Sequence, residues 1–267
     1  MTRRLIVSDM DKTLLNADHA LAPLTLQTLR ELHALGHVIT LASGRHHQDL
    51  ASYRQQLGFP TYVISSNGAH LYQPDDQLIS ETLIEPELVK AASALPLDEA
   101  IGMSIYTRDG WLINRPDPEL AELHQHTAFR YEVTPGIYGY DGDDAAKLLY
   151  AGTPEQLAVQ EGRLRENFEG KLHITYSQPH YLEVMAPGVN KGTALSRLLE
   201  ELSLTTADCH VFGDNLNDLE MLQLADHAHV MANAHPQLAG QIPHAKIIGH
   251  HDEEGVARQL RASFNLD

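Results

Sequence analysis

This sequence of 267 residues predicts an α/β fold built on a parallel sheet and interrupted by a smaller inserted α+β unit. Three observations carry the expectation. In the first third, short β-branched or leucine-rich runs alternate with stretches of helical spacing. The same alternation returns in the last third. Between them the strands become more numerous and more strictly alternating. Strand and helix in turn, joined by short links, read as a parallel sheet with crossover helices, whereas closely spaced alternating strands read as an antiparallel one.

The first strand is expected over 5–7. Helical spacing covers 24–35, with Pro23 near the start and Gly36 at the stop. A second strand at 38–42, a helix at 48–57 closed by Gly58, and a third strand at 62–64 follow. After the turn dipeptide Asn67-Gly68, strands at 69–72 and 78–80 form a hairpin around Pro74-Asp75-Asp76. The middle of the chain predicts strands at 103–106, 111–114, 147–150, 172–176 and 181–185, and helices at 85–95, 118–127 and 154–168. In the last third, 191–202 and 216–224 are helical and 210–212 is a strand. Val230 and Ile247-Ile248 mark two more short strands, and 254–261 is a final helix. The boundaries that follow are 1–82 plus 188–267 for the core and 83–187 for the insertion. No internal repeat or low-complexity tract interrupts this order.

Bulk composition narrows the function. Hydrophobic residues make up 43% and charged residues 21%, as in a globular chain able to bury a core. No apolar run nears the roughly eighteen residues of a membrane span. The apolar stretch at the N-terminus stops at Asp9 and Asp11, too soon for a secretory signal. The single cysteine, Cys209, allows no internal disulfide and reads as a small buried hydrophobe. Together these predict a cytoplasmic protein without a membrane partner; oligomeric state leaves no mark. A net charge of −17 argues against a nucleic-acid partner, which needs clustered Lys and Arg. It does not exclude a small phosphate, because a local cation decides there.

Four short segments carry chemistry. Asp9 and Asp11 leave the end of the first strand together, where open α/β sheets bind ligands. Two acids there call for a cation such as Mg²⁺, which prefers oxygen ligands. Taken alone, Asp-x-Asp is also a solvated loop, a helix cap, or the metal motif of a glycosyltransferase. Ser43 and Gly44 follow the second strand and offer a hydroxyl and a bare N–H to a phosphate oxygen, or plain N-capping of the next helix. Lys191 stands in the first turn of a helix, where it opposes the dipole and suits an anionic partner. Gly213-Asp214-Asn215-Leu216-Asn217-Asp218 places acids at another strand end. Asp214 can complete a metal shell there, and Asp218 can orient Lys191 or a metal-bound water.

In this order the four segments resemble the motifs of the haloacid dehalogenase superfamily. The spacing from Lys191-Gly192 to Gly-Asp-Asn-Leu-Asn-Asp and the large insertion resemble its Cof-type branch. Asp109-Gly110-Trp111, Pro236-Gln237-Leu238, Pro243-His244 and Ile248-Gly249-His250 match that branch as well. The resemblance covers the whole chain and implies a Rossmann-like core with an inserted cap. It implies a Mg²⁺-dependent phosphatase in which Asp9 is nucleophile and metal ligand. Asp11 would carry the proton and bind metal through its main-chain carbonyl, and Asp214 would complete the metal shell. Ser43, Gly44, Lys191, Asn217 and the N–H of Met10 would hold phosphoryl oxygens, with Thr13 and Asp218 in support. The cap would read the leaving group, with Tyr106, Arg108, Trp111 and Lys147 as candidates and Asn67 beside the ligand. One departure stands out: Lys12 occupies a position that is usually Gly in the family, a change expected to modulate activity.

The implied substrates are small phosphorylated metabolites: sugar phosphates, pyridoxal phosphate, flavin mononucleotide or the pyrimidine pyrophosphate of thiamin synthesis. A phosphomutase would share the phosphorylated aspartate. A non-catalytic phosphometabolite-binding regulator would be expected to lack a carboxylate that is present here. Among the 17 histidines, the pairs His46-His47, His124 with His126, and His250-His251 lack a metalloprotease pattern and read as solvated.

Overall fold

The computed structural model describes residues 2–118, 121, 127 and 129–266; most of the helix expected over 118–127, with His124 and His126, lies outside them. In chain order the strands are β1 (Leu5–Asp9), β2 (Val38–Ala42), β3 (Tyr62–Ser65), β4 (His70–Tyr72), β5 (Leu78–Glu81), β6 (Gly102–Thr107) and β7 (Trp111–Ile113). They continue as β8 (Glu132–Val133), β9 (Ala145–Ala151), β10 (His173–Gln178), β11 (Tyr181–Met185), β12 (Cys209–Gly213), β13 (His227–Met231) and β14 (Lys246–Ile248). The helices are α1 (Pro23–Ala34), α2 (Ala51–Leu57), α3 (Pro86–Ser93), α4 (Pro154–Phe168), α5 (Lys191–Leu202), α6 (Leu219–Leu224) and α7 (Gly255–Phe264). They form two compact units, Met1–Ser80 with Asn190–Asp267, and Glu81–Val189. Among the described residues, no helix is long and apolar enough to cross a membrane.

The first unit holds an eight-stranded sheet in the order β14-β13-β12-β1-β2-β3-β4-β5. From β14 to β3 neighbouring strands run parallel; β4 pairs antiparallel to β3. Every residue of β1 is buried, as a strand covered on both faces requires. Leu5 and Val7 pack with Leu195, Leu198, Val211 and Leu222 on one face. Ile6 packs with Leu29, Leu32, Tyr53 and Leu260 on the other. From β1 the chain goes to β2 on one side and, after the insertion, returns through β12 on the other. This reversal of strand order beside β1 is where an open sheet leaves a crevice at its carboxyl edge.

The second unit is a six-stranded sheet, β10-β11-β9-β6-β7-β8, antiparallel except for the β7–β8 pair. The two-residue β8 gave no sequence signal, because both its residues are exposed and too few to show a period. α4 begins with a capping box, in which Thr153 and Gln156 satisfy each other's main-chain N–H groups. The Tyr150 hydroxyl donates to the Ala92 carbonyl at 3.3 Å and ties α3 to the sheet.

Two expected helices are split. The segment 216–224 is a 3-10 turn at Leu216–Asp218 followed by α6. The Asp218 carboxylate accepts the N–H groups of Asp214 and Asn215 at 2.9 and 3.0 Å, which tightens that first turn. The segment 48–57 likewise divides into a 3-10 turn at His47–Leu50 and α2.

Candidate active site

Register brings the chemical segments of the first unit to one sheet edge. Asp9 is level with Ala42, and Ser8 with Phe212. Ser43 and the Gly213-Asp214 step therefore flank Asp9 as the three strands end. After Asp9 the chain turns sharply, with Lys12 in the left-handed region at φ 61° and its side chain exposed. Asn233 Nδ2 donates to the Lys12 carbonyl at 2.8 Å and holds the turn. A left-handed position explains why glycine suits this place in the family, and why lysine is accommodated at modest strain without crowding the site.

Lys191 arrives from the other side of the insertion. The Asn190 side chain caps α5 by accepting from Thr193 N at 2.8 Å, which fixes Lys191 as the first helical residue. Gly192 lets the helix lie against the next segment, since a Cβ there would sit 2.7 Å from the Glu220 carbonyl carbon. Gly213 serves Asp218 in the same way, because a Cβ there would stand 2.6 Å from Asp218 Cβ. Lys191 is fully buried, and its Nζ donates to Asp9 Oδ1 at 2.5 Å and to Asp218 Oδ1 at 2.6 Å.

These residues give a site with an excess of negative charge. Asp9, Asp214 and Asp218 are buried and present carboxylate oxygens within 4.8 Å of one another, against the buried ammonium of Lys191 and, at Asp214, the weaker influence of exposed Lys12. Burial, and then the Asp218 charge, push the Asp9 carboxyl well above the usual range despite Lys191. Burial and Asp218 push Asp214 up to about 7. Burial alone would make Lys191 less basic, but the Asp218 and Asp9 carboxylates hold it above its ordinary value. Asp218 is already committed, with Oδ1 on Lys191 and Oδ2 on two main-chain N–H groups. Asp9 also spends Oδ1 on Lys191, which leaves its Oδ2 and the Asp214 carboxylate as the oxygen donors least offset by positive charge. Thr13 Oγ1 donates to Asp214 Oδ1 at 2.9 Å and orients it. This donor set fits a hard divalent cation such as Mg²⁺.

Asp11 lies apart from the acidic group. Its carboxylate is gripped by Arg45, with Nε to Oδ2 at 2.8 Å and Nη2 to Oδ1 at 2.6 Å, while His19 Nδ1 lies 3.4 Å from Oδ1. Burial would raise the Asp11 carboxyl, but the charge and hydrogen bonds of Arg45 hold it well below the usual carboxylate range. Asp11 as found is therefore in its proton-accepting form. To give a proton it must take one up, and one of the two Arg45 contacts must open.

Among the remaining candidates, Ser43 is buried, and its Oγ accepts from Arg45 N at 3.1 Å in a local serine turn; it does not cap the next helical turn, whose N-cap is His46. Gly44 is half-buried beside it. The Met10 side chain is in the core and its carbonyl accepts from Leu15 N at 2.9 Å. Asn67, in a left-handed turn at φ 56°, accepts on Oδ1 from Asn217 Nδ2 at 3.1 Å, so two candidates far apart in sequence meet. In the second unit, Tyr106, Trp111 and Lys147 are buried together. Lys147 Nζ lies 4.3 Å from the Tyr106 ring centroid and 2.9 Å from Glu183 Oε1, and Tyr106 stacks on Trp111 at 5.1 Å. The more exposed Arg108 is paired with Glu81.

Sequence reasoning missed Arg45, Asp49 and Glu183. Arg45 directly follows Ser43 and Gly44, and that neighbourhood was its one signal. The expectation of solvated histidines fails for His46, which is fully buried; His37, His70, His210 and His229 are buried too. His46 closes the turn before α2 by accepting on its ring from Gln48 N at 3.3 Å. His250, His251 and Asp252 form a second close group, but the His251 ring meets the Leu15 carbonyl at 2.9 Å and Asp252 accepts from Ala17 N at 2.7 Å. They fasten the loop that follows β1. Burial pushes the Cys209 thiol up, in keeping with an inert core residue.

The family model for haloacid dehalogenase-like hydrolases matches residues 6–260. The chain belongs to the haloacid dehalogenase-like hydrolases. Within that family, the HMP-PP phosphatase of Cronobacter sakazakii is 34% identical over 96% of this chain and 94% of its own length. A Haemophilus influenzae protein, named only as a phosphatase with no substrate, is 38% identical over 99% of this chain and 98% of its own. A solved haloacid dehalogenase-like hydrolase from Bacteroides thetaiotaomicron superposes with a TM-score of 0.83 at 26% identity, covering 98% of this chain and all of that one. The parallel-sheet core of this hydrolase is thus the Rossmann-like fold of its family, and its activity is hydrolysis of phosphate esters.

Proposed function

We propose that this hydrolase is a Mg²⁺-dependent phosphatase of small phosphorylated metabolites that works through a phosphorylated Asp9. The observation that carries the reading is the convergence of Lys191, Asp214 and Asp218 on Asp9 at one sheet edge. A carboxylate oxygen of Asp9 attacks phosphorus, the bond to the leaving oxygen breaks, and Asp11 supplies the proton that the leaving oxygen needs. In the second half, Asp11 takes a proton from water as that water attacks the phosphorylated Asp9. Inorganic phosphate leaves and the Asp9 carboxylate is restored. Lys191, kept charged by its two carboxylates, offsets charge on the phosphoryl oxygens, with Ser43, Gly44, Asn217 and the Met10 N–H as further donors. Asp9, Asp214 and the main-chain carbonyl of Asp11 would hold Mg²⁺, which supplies charge neutralisation for phosphoryl transfer.

Choice of leaving group belongs, in this reading, to the 83–187 insertion, with Lys147, Tyr106, Trp111 and Arg108 as candidates. The relative named for HMP-PP makes that the first substrate to try, and sugar phosphates, which the family resemblance implies, come next. The test is phosphate release across a panel of phosphorylated metabolites, before and after chelation. Release is expected with Mg²⁺, to vanish with chelator, and to return on adding the ion back. Release that is indifferent to chelation contradicts the metal role, and transfer of phosphate to a second hydroxyl without release would point to a mutase.

A further inference from the structure

Arg45 has no task in the chemistry above, yet it is among the most constrained side chains near the site. It is only 4% exposed. Its Nε and Nη2 grip both oxygens of Asp11, and its Nη1 donates to Asp49 Oδ2 at 3.0 Å. Asp49 is fully buried. The guanidinium carbon lies 5.8 Å from the Tyr53 ring centroid. The Tyr53 hydroxyl in turn donates to the His19 carbonyl at 3.0 Å, and His19 stands beside Asp11. The guanidinium is thus fixed from behind by Asp49 and Tyr53 and presents its fork to Asp11 in front. A buried ion pair of this kind is poor value as a stability device. Its planar two-point geometry is suited to fixing the orientation of a carboxylate.

We propose that Arg45 is the positioning residue for Asp11: the Asp49–Arg45 pair aims the Asp11 carboxyl at the leaving oxygen. The proposal rests on the reading of Asp11 as proton carrier. When Asp11 carries a proton, one oxygen still accepts from Arg45 and the other holds the hydrogen. That O–H bond breaks as the bond from hydrogen to the leaving oxygen forms. Without Arg45, Asp11 keeps only the His19 contact at one oxygen, and the two-point aim is lost.

The discriminating measurement is kcat/KM, which reports the first step, for an alkyl phosphate and for nitrophenyl phosphate. An alkoxide leaves only with a proton, whereas nitrophenolate leaves without one. The variants are Arg45→Lys, which keeps the charge but not the fork, and Arg45→Met/Asp49→Leu, which does not leave the Asp49 carboxylate behind in the core. Both are checked for folding by circular dichroism, beside Asp11→Asn as reference. The ratio of alkyl to nitrophenyl kcat/KM is expected to fall by about 100-fold in Asp11→Asn and by about 10- to 100-fold in the Arg45 variants. Arg45→Lys added to Asp11→Asn should lower it no further. Equal losses on both esters in the Arg45 variants, with the ratio unchanged while Asp11→Asn lowers it, overturn the proposal and leave Arg45 a structural residue. A ratio unchanged in Asp11→Asn itself overturns the proton-carrier reading instead.

Discussion

Lys191→Met removes the one buried positive charge from among three buried carboxylates. Met keeps most of the length and volume, so packing changes little and electrostatics decide the outcome. The Nζ now lies 2.5 Å from Asp9 and 2.6 Å from Asp218, with Lys191 and Asp218 both fully inaccessible. Stripping one partner from such a pair costs about 3–5 kcal/mol. Asp218 bears most of this. Asp9 is already pushed toward its protonated form and relieves its share by taking up a proton, so the cost is not doubled. Urea unfolding at neutral pH in the presence of chelator is expected to show a loss of about 3–5 kcal/mol. Mg²⁺ should restore part of it, because the ion binds the carboxylates left uncompensated. The double variant Lys191→Met/Asp218→Asn, which removes the Asp218 charge but keeps an oxygen for the Asp214 and Asn215 N–H groups, should recover part of the stability, while phosphatase activity stays down by about 100-fold or more in both. A loss under about 1 kcal/mol in the single variant, the worth of a surface ion pair, would refute the claim that the site holds an uncompensated charge excess.

Two further outcomes follow from the geometry. Lys12 sits at φ 61° with an exposed side chain. Lys12→Gly is therefore expected to leave stability within about 1 kcal/mol of the parent, whereas Lys12→Val should lose about 1–2 kcal/mol; thermal melts of the two variants decide, and equal melts would contradict the strain. His210 and His229 lie buried in a stack of imidazoles with His227, and burial first, then neighbouring charges, push them down to about 3 and about 4. The unfolded chain binds protons near 6.5, the ordinary histidine value, while the folded chain does not, so stability is complete above that pH and falls as pH drops toward the folded values. Discounted for partial solvent access, the pair should cost about 2 kcal/mol between about pH 7 and pH 5. Because Asp9 and Asp214, pushed upward, titrate in the opposite sense, the pair is measured by difference: between the two pH values, urea unfolding of His210→Asn/His229→Asn should lose about 2 kcal/mol less than the parent does; an equal acid slope in both proteins would remove the histidines as its cause.

What was legible in the sequence was whatever one strand end or one helix start could announce. Asp9 and Asp11 stand directly after an apolar run, and Lys191 opens a well-capped helix, so each marked its own place. Residues whose role depends on a distant partner gave weaker marks. Arg45 reads as an ordinary charge after Ser43-Gly44 until Asp11 and Asp49 are seen around it. Glu183 alternates correctly on β11 but shows nothing of Lys147, which β9 brings beside it. His46 looked solvated because a turn capped by an imidazole has the same composition as an exposed loop. Asp218 was expected near Lys191, but its second oxygen's grip on Asp214 and Asn215 depends on a glycine at 213 that leaves room for it.

Covalent phosphorylation of Asp9 is tested most directly by acid-quenching the protein during turnover of a radiolabelled phosphate ester with Mg²⁺ present. Label is expected on the chain, released by hydroxylamine as an acyl phosphate would be, and confined to the peptide that carries Asp9. Asp9→Asn should fold normally, take no label and release no phosphate. Label on a different peptide, or undiminished turnover by Asp9→Asn, would contradict the nucleophile assignment.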